Sequence, residues 1–135
     1  MRSVDIVRAF YGALGRGDVP AAVSLLASEI EWTEAERSPY FAGTWRTPQA
    51  VVDGLLSRLN CDWLDFSAGA KTYVANGELV VAFGDYAGTN RVTGRSITAP
   101  FAHLWTVRRG KIVAFVQYTD TAKVLEAMPE MSGDR

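Results

Sequence analysis

Residues 99–121 read "APFAHLWTVRRGKIVAFVQYTDT", and they are the clearest indication of the fold. Two apolar runs flank the polar turn RRGK at residues 108–111, a pattern that predicts an antiparallel hairpin. A short helical pattern follows from Thr121 to Met128, with Asp120 at the junction. The segment poses one question: whether the Asp120 carboxylate is an acid/base at the rim of a pocket or the cap of a last helix.

The chain upstream of this hairpin indicates two more strands. The apolar runs at residues 63–75 and 78–88 flank Asn76-Gly77, a strong signal for a two-residue hairpin turn. Alternate residues of the first run are expected to share one face of a strand: Leu64, Phe66, Ala68, Ala70, Thr72 and Val74. With the hairpin at 99–121, these runs predict an antiparallel meander of about four strands.

The first half of the chain carries three helical patterns. The first helix has one apolar face, formed by Val7, Phe10, Tyr11 and Leu14. Asp18 is placed to cap the second helix, and Thr47 is placed to cap the third, with Pro48 in its first position. An early strand lies between the second and third helices, and one of its faces carries Ile30, Trp32 and Glu34.

This order of elements predicts an α+β fold, shaped as a cone. N-terminal helices are expected to pack on one face of a curved, mostly antiparallel sheet, and a short C-terminal helix to close it. The mouth of such a cone is a natural small-molecule site. We expect one domain over residues 1–135, with a frayed polar tail at 129–135.

Composition excludes several classes of function. The formal net charge is −1, from 14 basic and 15 acidic residues without a long run of one sign, which argues against a nucleic-acid surface. Cys61 is the one cysteine and cannot form an internal disulfide. The apolar runs are too short to span a membrane, and charges interrupt the N-terminal segment where a signal peptide needs an apolar run, so we expect a cytoplasmic protein. Phosphate-binding loops, dinucleotide motifs and metal motifs are missing, so no cofactor and no metal is expected.

Four carboxylates merit weighing for acid/base chemistry, of which Glu31 falls on the opposite strand face and is expected to be exposed. If its strand face is the core face, Glu34 is partly buried, and burial raises a carboxyl pKa toward useful values; otherwise the strand has frayed and Glu34 is solvated. Asp85 interrupts an apolar strand, and an edge or outward position explains this as well as a site does. Asp120 ends the last strand where the cone should open, but Asp is also a preferred N-cap.

His103 is the one histidine, and the predicted catalytic residues are Asp120, Glu34 and His103. Phe101 and Trp105 share its strand face, whereas Ala102 and Leu104 take the other face. Because both faces are apolar, the pattern does not decide between an inward, catalytic histidine and a structural or interface histidine. A sheet that is apolar on both sides favours a homodimer formed through the sheet.

Aromatic residues are abundant enough to fill a core and to line a pocket. A loop beside the expected cone carries Tyr40, Phe41 and Trp45, which are harder to explain as core and are typical of a lid or pocket wall. The predicted ligand-binding residues are Trp32, Tyr40, Phe41, Trp45, Leu59, Tyr86, Ala102, Trp105, Phe115 and Gln117.

The segments "VRAFYGALGRGDVPAAVSLLASEIEW" (7–32) and 99–121, with the final helix, resemble the nuclear transport factor 2-like superfamily. Within it the chain is most similar to the SnoaL-like, ketosteroid-isomerase-related group. The resemblance extends from about Val4 to Met128. It implies the cone fold, but the superfamily includes isomerases, cyclases, epoxide hydrolases, dehydratases and non-catalytic modules.

The resemblance can be carried over residue by residue. Against ketosteroid isomerases, Glu34 falls at the base position, but Phe10 and Ala102 fall where those enzymes have a tyrosine and an aspartic acid as oxyanion donors. Tyr11 is next to Phe10, but a helical step of about 100° is expected to aim it elsewhere. True steroid isomerisation is therefore not expected.

Two other groups of the superfamily give partial matches. Against limonene-epoxide-hydrolase-like proteins, Asp120 and Asp85 match the two acids, but Phe83 falls at the arginine. Against SnoaL-like cyclases, Asp120 matches the acid/base. The first hypothesis is thus acid/base chemistry on a small lipophilic ligand, with Asp120→Asn expected to abolish turnover. The alternatives are a non-catalytic ligand-binding or dimerisation module and an accessory domain for a protein partner.

Overall fold

The computed structural model describes residues 2–41 and 43–130. The helices are α1 (Ser3–Gly15), α2 (Val19–Val23), α3 (Pro48–Val51), α4 (Ser57–Asp62) and α5 (Thr121–Ala127), with a π-helical turn (Val52–Leu56) that joins α3 to α4 without a break. The strands are β1 (Leu26–Thr33), β2 (Thr44–Trp45), β3 (Trp63–Asn76), β4 (Leu79–Asn90), β5 (Ser96–Arg108) and β6 (Lys111–Thr119).

The six strands form one sheet in the order β2-β1-β6-β5-β4-β3. Strands β3 to β6 are the predicted antiparallel meander, and β2 also pairs antiparallel with β1. The exception is β1, which lies parallel to β6. The α+β architecture is confirmed: helices pack on one face of a curved, mostly antiparallel sheet, and α5 follows the last strand.

Two helix caps follow the sequence pattern. The Asp18 side chain accepts a hydrogen bond from the Ala21 N–H at 3.1 Å, and the Thr47 hydroxyl accepts one from the Ala50 N–H at 3.1 Å. Each bond satisfies a backbone donor that a helix start leaves without a partner. These caps fix where α2 and α3 begin, and so where the helices meet the sheet.

The face assignment along β3 is wrong at both ends. Its pairing with β4 shifts register between Leu64 and Ser67 and again between Ala70 and Thr72. Each β-bulge adds a residue and reverses which face the following side chains occupy. As a result Leu64 is 49% exposed and Val74 is 58% exposed.

Gly84 in β4 pairs with Ala70 of β3, and the backbone of β3 leaves no room for a side chain there. A Cβ atom there would collide with the Gly69 carbonyl oxygen and lie 2.8 Å from the Ala70 Cα. We expect Gly84→Ala to lower the free energy of unfolding by about 2 kcal/mol, because backbone atoms must move to admit the methyl group. Urea unfolding measures the change.

Gly69→Ala is the matched control for this prediction. A Cβ at Gly69 meets only the Asp85 carbonyl oxygen, at 3.5 Å, which is an ordinary contact. The control should be neutral or slightly stabilising, because alanine loses less backbone freedom than glycine. Equal losses of stability in the two variants would refute the steric argument.

The main core lies between α1, α2, the π-helical turn and the inner face of the sheet. Phe10 of α1 packs against Trp32 of β1 and Trp105 of β5, with ring centroids 5.8 Å and 5.2 Å away. A second cluster surrounds Trp63 and Tyr86 under α5. Between residues 2 and 130, apart from residue 42, no helix is long and apolar enough to cross a membrane. Space remains between the two clusters, and this space is the candidate site.

Candidate functional site

A cavity of about 680 Å³ opens between the helices and the inner face of the sheet. This volume is within the usual range for small-molecule sites. More than half of its lining residues are aromatic or aliphatic, and about a third are polar or charged. The predicted site residues that line it are Trp32, Glu34, Tyr40, Leu59, Tyr86, His103, Trp105, Phe115 and Gln117.

Glu34 is the buried carboxylate of this cavity. It directly follows β1 and shares a face with Trp32, so the predicted inward placement is confirmed, with 4% of the residue exposed. Trp32 Nε1 donates a hydrogen bond to its Oε2 at 2.9 Å. Burial raises the pKa of Glu34 to about 7, against the opposing effect of hydrogen bonds from Trp32 and Gln117. Glu34 is therefore suited both to accept and to donate a proton near neutral pH.

His103 faces the cavity rather than the outer side of the sheet. The residue is 3% exposed, and its ring stacks on Phe101 with centroids 3.9 Å apart. The Tyr11 hydroxyl lies 2.5 Å from Nδ1, and the Tyr86 hydroxyl lies 2.5 Å from Nε2. Burial lowers the pKa of His103 to about 3, because desolvation penalises the charged ring. The imidazole is therefore neutral at physiological pH.

Further hydrogen bonds hold the two tyrosines from outside. Trp105 Nε1 donates to the Tyr11 hydroxyl at 3.0 Å, and Gln117 Nε2 donates to the Tyr86 hydroxyl at 2.9 Å. The Ala35 N–H donates to Gln117 Oε1 at 3.0 Å, which fixes the orientation of the amide. The result is one continuous polar chain across an apolar cavity.

Tyr11 is a polar site residue that the sequence did not predict. Its ring was expected to point away because Phe10 points inward, but both residues line the cavity. The cavity is wide enough to meet two successive positions of α1, although they differ by about 100° around the helix. The signal was present in the sequence, because Tyr11 belongs to the apolar face formed with Val7 and Leu14.

Tyr40 ties its loop to the start of β3. Its hydroxyl donates to Asp62 Oδ2 at 2.8 Å and accepts from Trp63 Nε1 at 2.8 Å. The Arg58 guanidinium lies over the ring, 4.8 Å from its centroid. Tyr40 is therefore a fixed wall of the cavity, as predicted for a lining residue.

Three predicted lining residues lie elsewhere. Phe41 is exposed, and the Trp45 ring packs against Gly54 of the π-helical turn. Ala102 takes the outer face of the sheet, because its neighbours in β5 alternate inward. Asp85 forms a half-exposed ion pair with Lys71 at 2.9 Å and is not among the described residues that line the cavity. The outward position of Ala102 therefore does not fit an oxyanion donor, which must face the cavity.

Asp120 caps α5 with an exposed carboxylate. Its Oδ1 accepts from the Lys123 N–H at 3.3 Å, which confirms the capping alternative. The cavity is lined on either side of it, by Thr119 and Thr121, while Asp120 is not among the described lining residues. The structure brings Glu34 and His103 into one cavity and leaves Asp120 at its outside.

Two variants separate capping from acid/base chemistry at this position. We expect Asp120→Ala to lower the free energy of unfolding by about 1 kcal/mol, because the cap is lost, whereas Asp120→Asn should keep most of it, since asparagine also caps. Thermal or urea unfolding measures both. If Asp120→Asn abolishes turnover, Asp120 is an acid/base after all.

Within residues 2–130, residue 42 aside, no group of three His, Cys, Asp or Glu side chains is placed to hold a metal ion. The tail prediction for 129–135 lies mostly outside the described residues, which end at 130. The described residues place the buried Glu34 carboxylate in the same cavity as a neutral network of two tyrosine hydroxyls and the His103 imidazole.

Comparison with known proteins places the chain in a family. Residues 7–115 match the model of the SnoaL-like domain. A crystal structure of an NTF2-like protein from Burkholderia thailandensis E264 is 37% identical, with a TM-score of 0.91, over 96% of this chain and 99% of that one. An NTF2-like protein from Burkholderia xenovorans LB400 is 30% identical, with a TM-score of 0.79, over 94% and 95%.

A more distant structure shares the fold. TerC, co-crystallised with polyporic acid, is 21% identical, with a TM-score of 0.82, over 93% of this chain and 96% of that one. No curated protein matches the chain. The family match covers most of the sequence, and the cone, its helices and its cavity agree with it: the chain belongs to the SnoaL-like domain family, in the NTF2-like fold.

Proposed function

We propose that the protein is a cofactor-independent enzyme that moves a proton on a small lipophilic ligand, with Glu34 as the general acid/base. The observation that carries this proposal is a buried carboxylate, with its pKa raised to about 7, in the wall of a cavity of about 680 Å³. A catalytic group works best when its pKa is close to the working pH. Isomerisation and cyclisation both need such a step.

The site favours Glu34 over Asp120 as the working carboxylate. Asp120 is exposed and already engaged as a helix cap, whereas Glu34 faces the cavity and one of its oxygens is held by Trp32. Asp120 stays a candidate from the family resemblance alone. A ligand that fills the cavity would contact Glu34 directly.

The relatives support this proposal only at the level of fold. At 21% identity TerC shares the architecture alone, and its crystal with polyporic acid indicates that a protein of this fold takes up an organic ligand. The apolar wall favours a lipophilic molecule here, and the hydroxyl groups of Tyr11 and Tyr86 add polar contacts for an oxygen atom. The ligand class follows from this chain's own cavity.

Deuterium exchange tests the proposal without a known substrate. Lipophilic ketones with acidic α-hydrogens are incubated in D₂O with the protein, and loss of the α-hydrogen signals is followed by ¹H NMR. Wild-type protein should speed exchange for at least one ketone, and the effect should depend on Glu34. Exchange at the buffer rate across the whole panel would favour a non-catalytic binding module.

We also propose that the protein forms a homodimer through the outer face of the sheet. Phe83 and Tyr118 flank Ala102 in adjacent strands, and they are 43% and 57% exposed. In the next outward row Val81 and Val116 flank Leu104. A continuous apolar surface of this kind is typical of an interface, and a second copy carries the same surface.

Tyr118→Lys should shift this assembly toward monomer, because it places a charged group without a partner in an apolar contact. Sedimentation at micromolar concentration should give a dimer for wild type and a smaller species for the variant. Val92→Lys, in the loop between β4 and β5, is the matched control, since Val92 is also exposed. A wild-type monomer at this concentration would rule out the dimer.

A further inference from the structure

His103 joins the hydroxyls of Tyr11 and Tyr86 by two short hydrogen bonds, both 2.5 Å long. A neutral imidazole carries one N–H, and each phenol carries one O–H. Three protons are thus available for two hydrogen bonds. One hydroxyl proton therefore takes part in neither hydrogen bond of this triad of His103, Tyr11 and Tyr86.

The outer partners of the triad do not take this proton. Trp105 Nε1 only donates, and it already donates to Tyr11. The Gln117 amide nitrogen donates to Tyr86, while its oxygen accepts from the Ala35 N–H. Both ends of this hydrogen-bond chain therefore supply donors, and neither outer partner accepts the spare proton.

The tautomer of His103 decides which tyrosine carries the spare proton. If Nδ1 is protonated, it donates to Tyr11, Tyr86 donates to Nε2, and the Tyr11 proton is free. If Nε2 is protonated, the roles reverse and the Tyr86 proton is free. Burial keeps the imidazole neutral, so the count holds over the physiological pH range.

We propose that His103 is a positioning residue that offers one hydroxyl proton to a ligand oxygen, at Tyr11 or at Tyr86 but never at both. This rests on the proposed function and names its ligand class: a lipophilic molecule with a carbonyl oxygen as acceptor. When that oxygen binds at one tyrosine, it fixes the tautomer of His103. The hydroxyl of the other tyrosine then donates to His103 and is no longer available to a ligand. The cavity therefore has two alternative oxygen positions that exclude each other.

The surroundings of the triad agree with a neutral acceptor. The imidazole stacks on Phe101, and the Tyr11 ring packs edge-on against Trp105, with centroids 5.5 Å apart. Burial raises the pKa of Tyr11 and of Tyr86, so both phenols keep their protons. A phenol in an apolar wall binds an uncharged oxygen without the cost of desolvating a charge.

The experiment uses the single histidine of the chain as its probe. Protein labelled with ¹⁵N-histidine gives signals from His103 alone, and their shifts report which ring nitrogen is protonated. Acetophenone is titrated as a ketone, and α-methylstyrene, which has CH₂ in place of the oxygen, is the matched control ligand. We expect acetophenone to change the tautomer ratio and to bind about tenfold more tightly than α-methylstyrene.

Several outcomes would overturn the proposal. Equal affinity for the two ligands, no binding of either, or an unchanged tautomer ratio at saturation each contradict it. In the free protein, a His103 signal that titrates near the ordinary histidine pKa would show that the ring is not enclosed by the two hydroxyls.

Variants separate the donors. Tyr11→Phe and Tyr86→Phe each leave a single hydroxyl donor, so in each variant the ketone should favour one tautomer of His103. The preference for the ketone over α-methylstyrene should survive in at least one of the two variants. Tyr118→Phe, on the outer face, should bind like wild type. A tautomer shift without α-hydrogen exchange would support this proposal while refuting acid/base turnover, so the two fail independently.

Discussion

Glu34→Gln should slow α-deuterium exchange of a responsive ketone by about 100-fold or more, because general acid/base catalysis typically contributes 10²–10⁴-fold. The amide keeps the size of the side chain and can still meet Trp32, but it cannot take up a proton. In wild type the rate should rise with pH and level off above about 7, as Glu34 ionises. The variant should show no such rise.

Glu31→Gln is the matched control for this result. Glu31 lies in β1, three residues before Glu34 and on the opposite face, where it is exposed and its carboxylate lies 3.7 Å from the Arg46 guanidinium. Its replacement should leave exchange unchanged. If Glu34→Gln retains wild-type exchange, the base is another group, and Asp120 is the next to replace.

The same substitution should change how stability depends on pH. Glu34 has its pKa raised from 4.5 to about 7 on folding, so the folded state keeps a proton that the unfolded state releases. Its contribution to stability is complete below pH 4.5 and is lost as the pH rises through 7. The shift corresponds to about 3 kcal/mol. The free energy of unfolding of Glu34→Gln, relative to wild type, should rise by this amount over that window.

His103 has the opposite linkage and hides part of this effect in wild type. Its pKa falls from 6.5 to about 3 on folding, so its contribution is present above 6.5 and is lost as the pH falls through 3. Between 4.5 and 6.5 the two slopes cancel. Urea unfolding should therefore show a nearly flat wild type and a Glu34→Gln variant that gains stability with pH. Parallel curves would contradict the shifted pKa of Glu34.

Sequence patterns predicted most of the fold, because period and capping are local properties. The alternation of Ile30, Trp32 and Glu34 identified the inward face of β1, and Asp18 and Thr47 identified two helix starts. The sequence pattern did not predict the bulges in β3, because a bulge depends on the pairing strand and on the close contact at Gly84. The pattern also did not decide which face of β5 points inward, because apolar residues occupy both of its faces.

The site was predicted in part for the same reason. Tyr86 and Gln117 lie in regular strands, Glu34 directly follows β1, and the structure brings the three together as lining residues. Phe41 lies outside any helix or strand, and Trp45 belongs to the two-residue strand β2, so neither position has a sequence period that fixes the direction of its side chain. Tyr11 was missed because helical spacing gives relative angles but not the width of the space that the helix faces.

The distribution of tryptophan has a practical consequence. Three of the four indoles, Trp32, Trp63 and Trp105, stand in the cavity wall, and the fourth, Trp45, packs behind the π-helical turn. The ultraviolet emission of the protein therefore originates mainly from the surface that a ligand would touch. An aromatic ketone that enters should quench most of this emission and leave the Trp45 signal as an internal reference. Unlabelled protein can thus report occupancy in a plate reader, before any reaction is known.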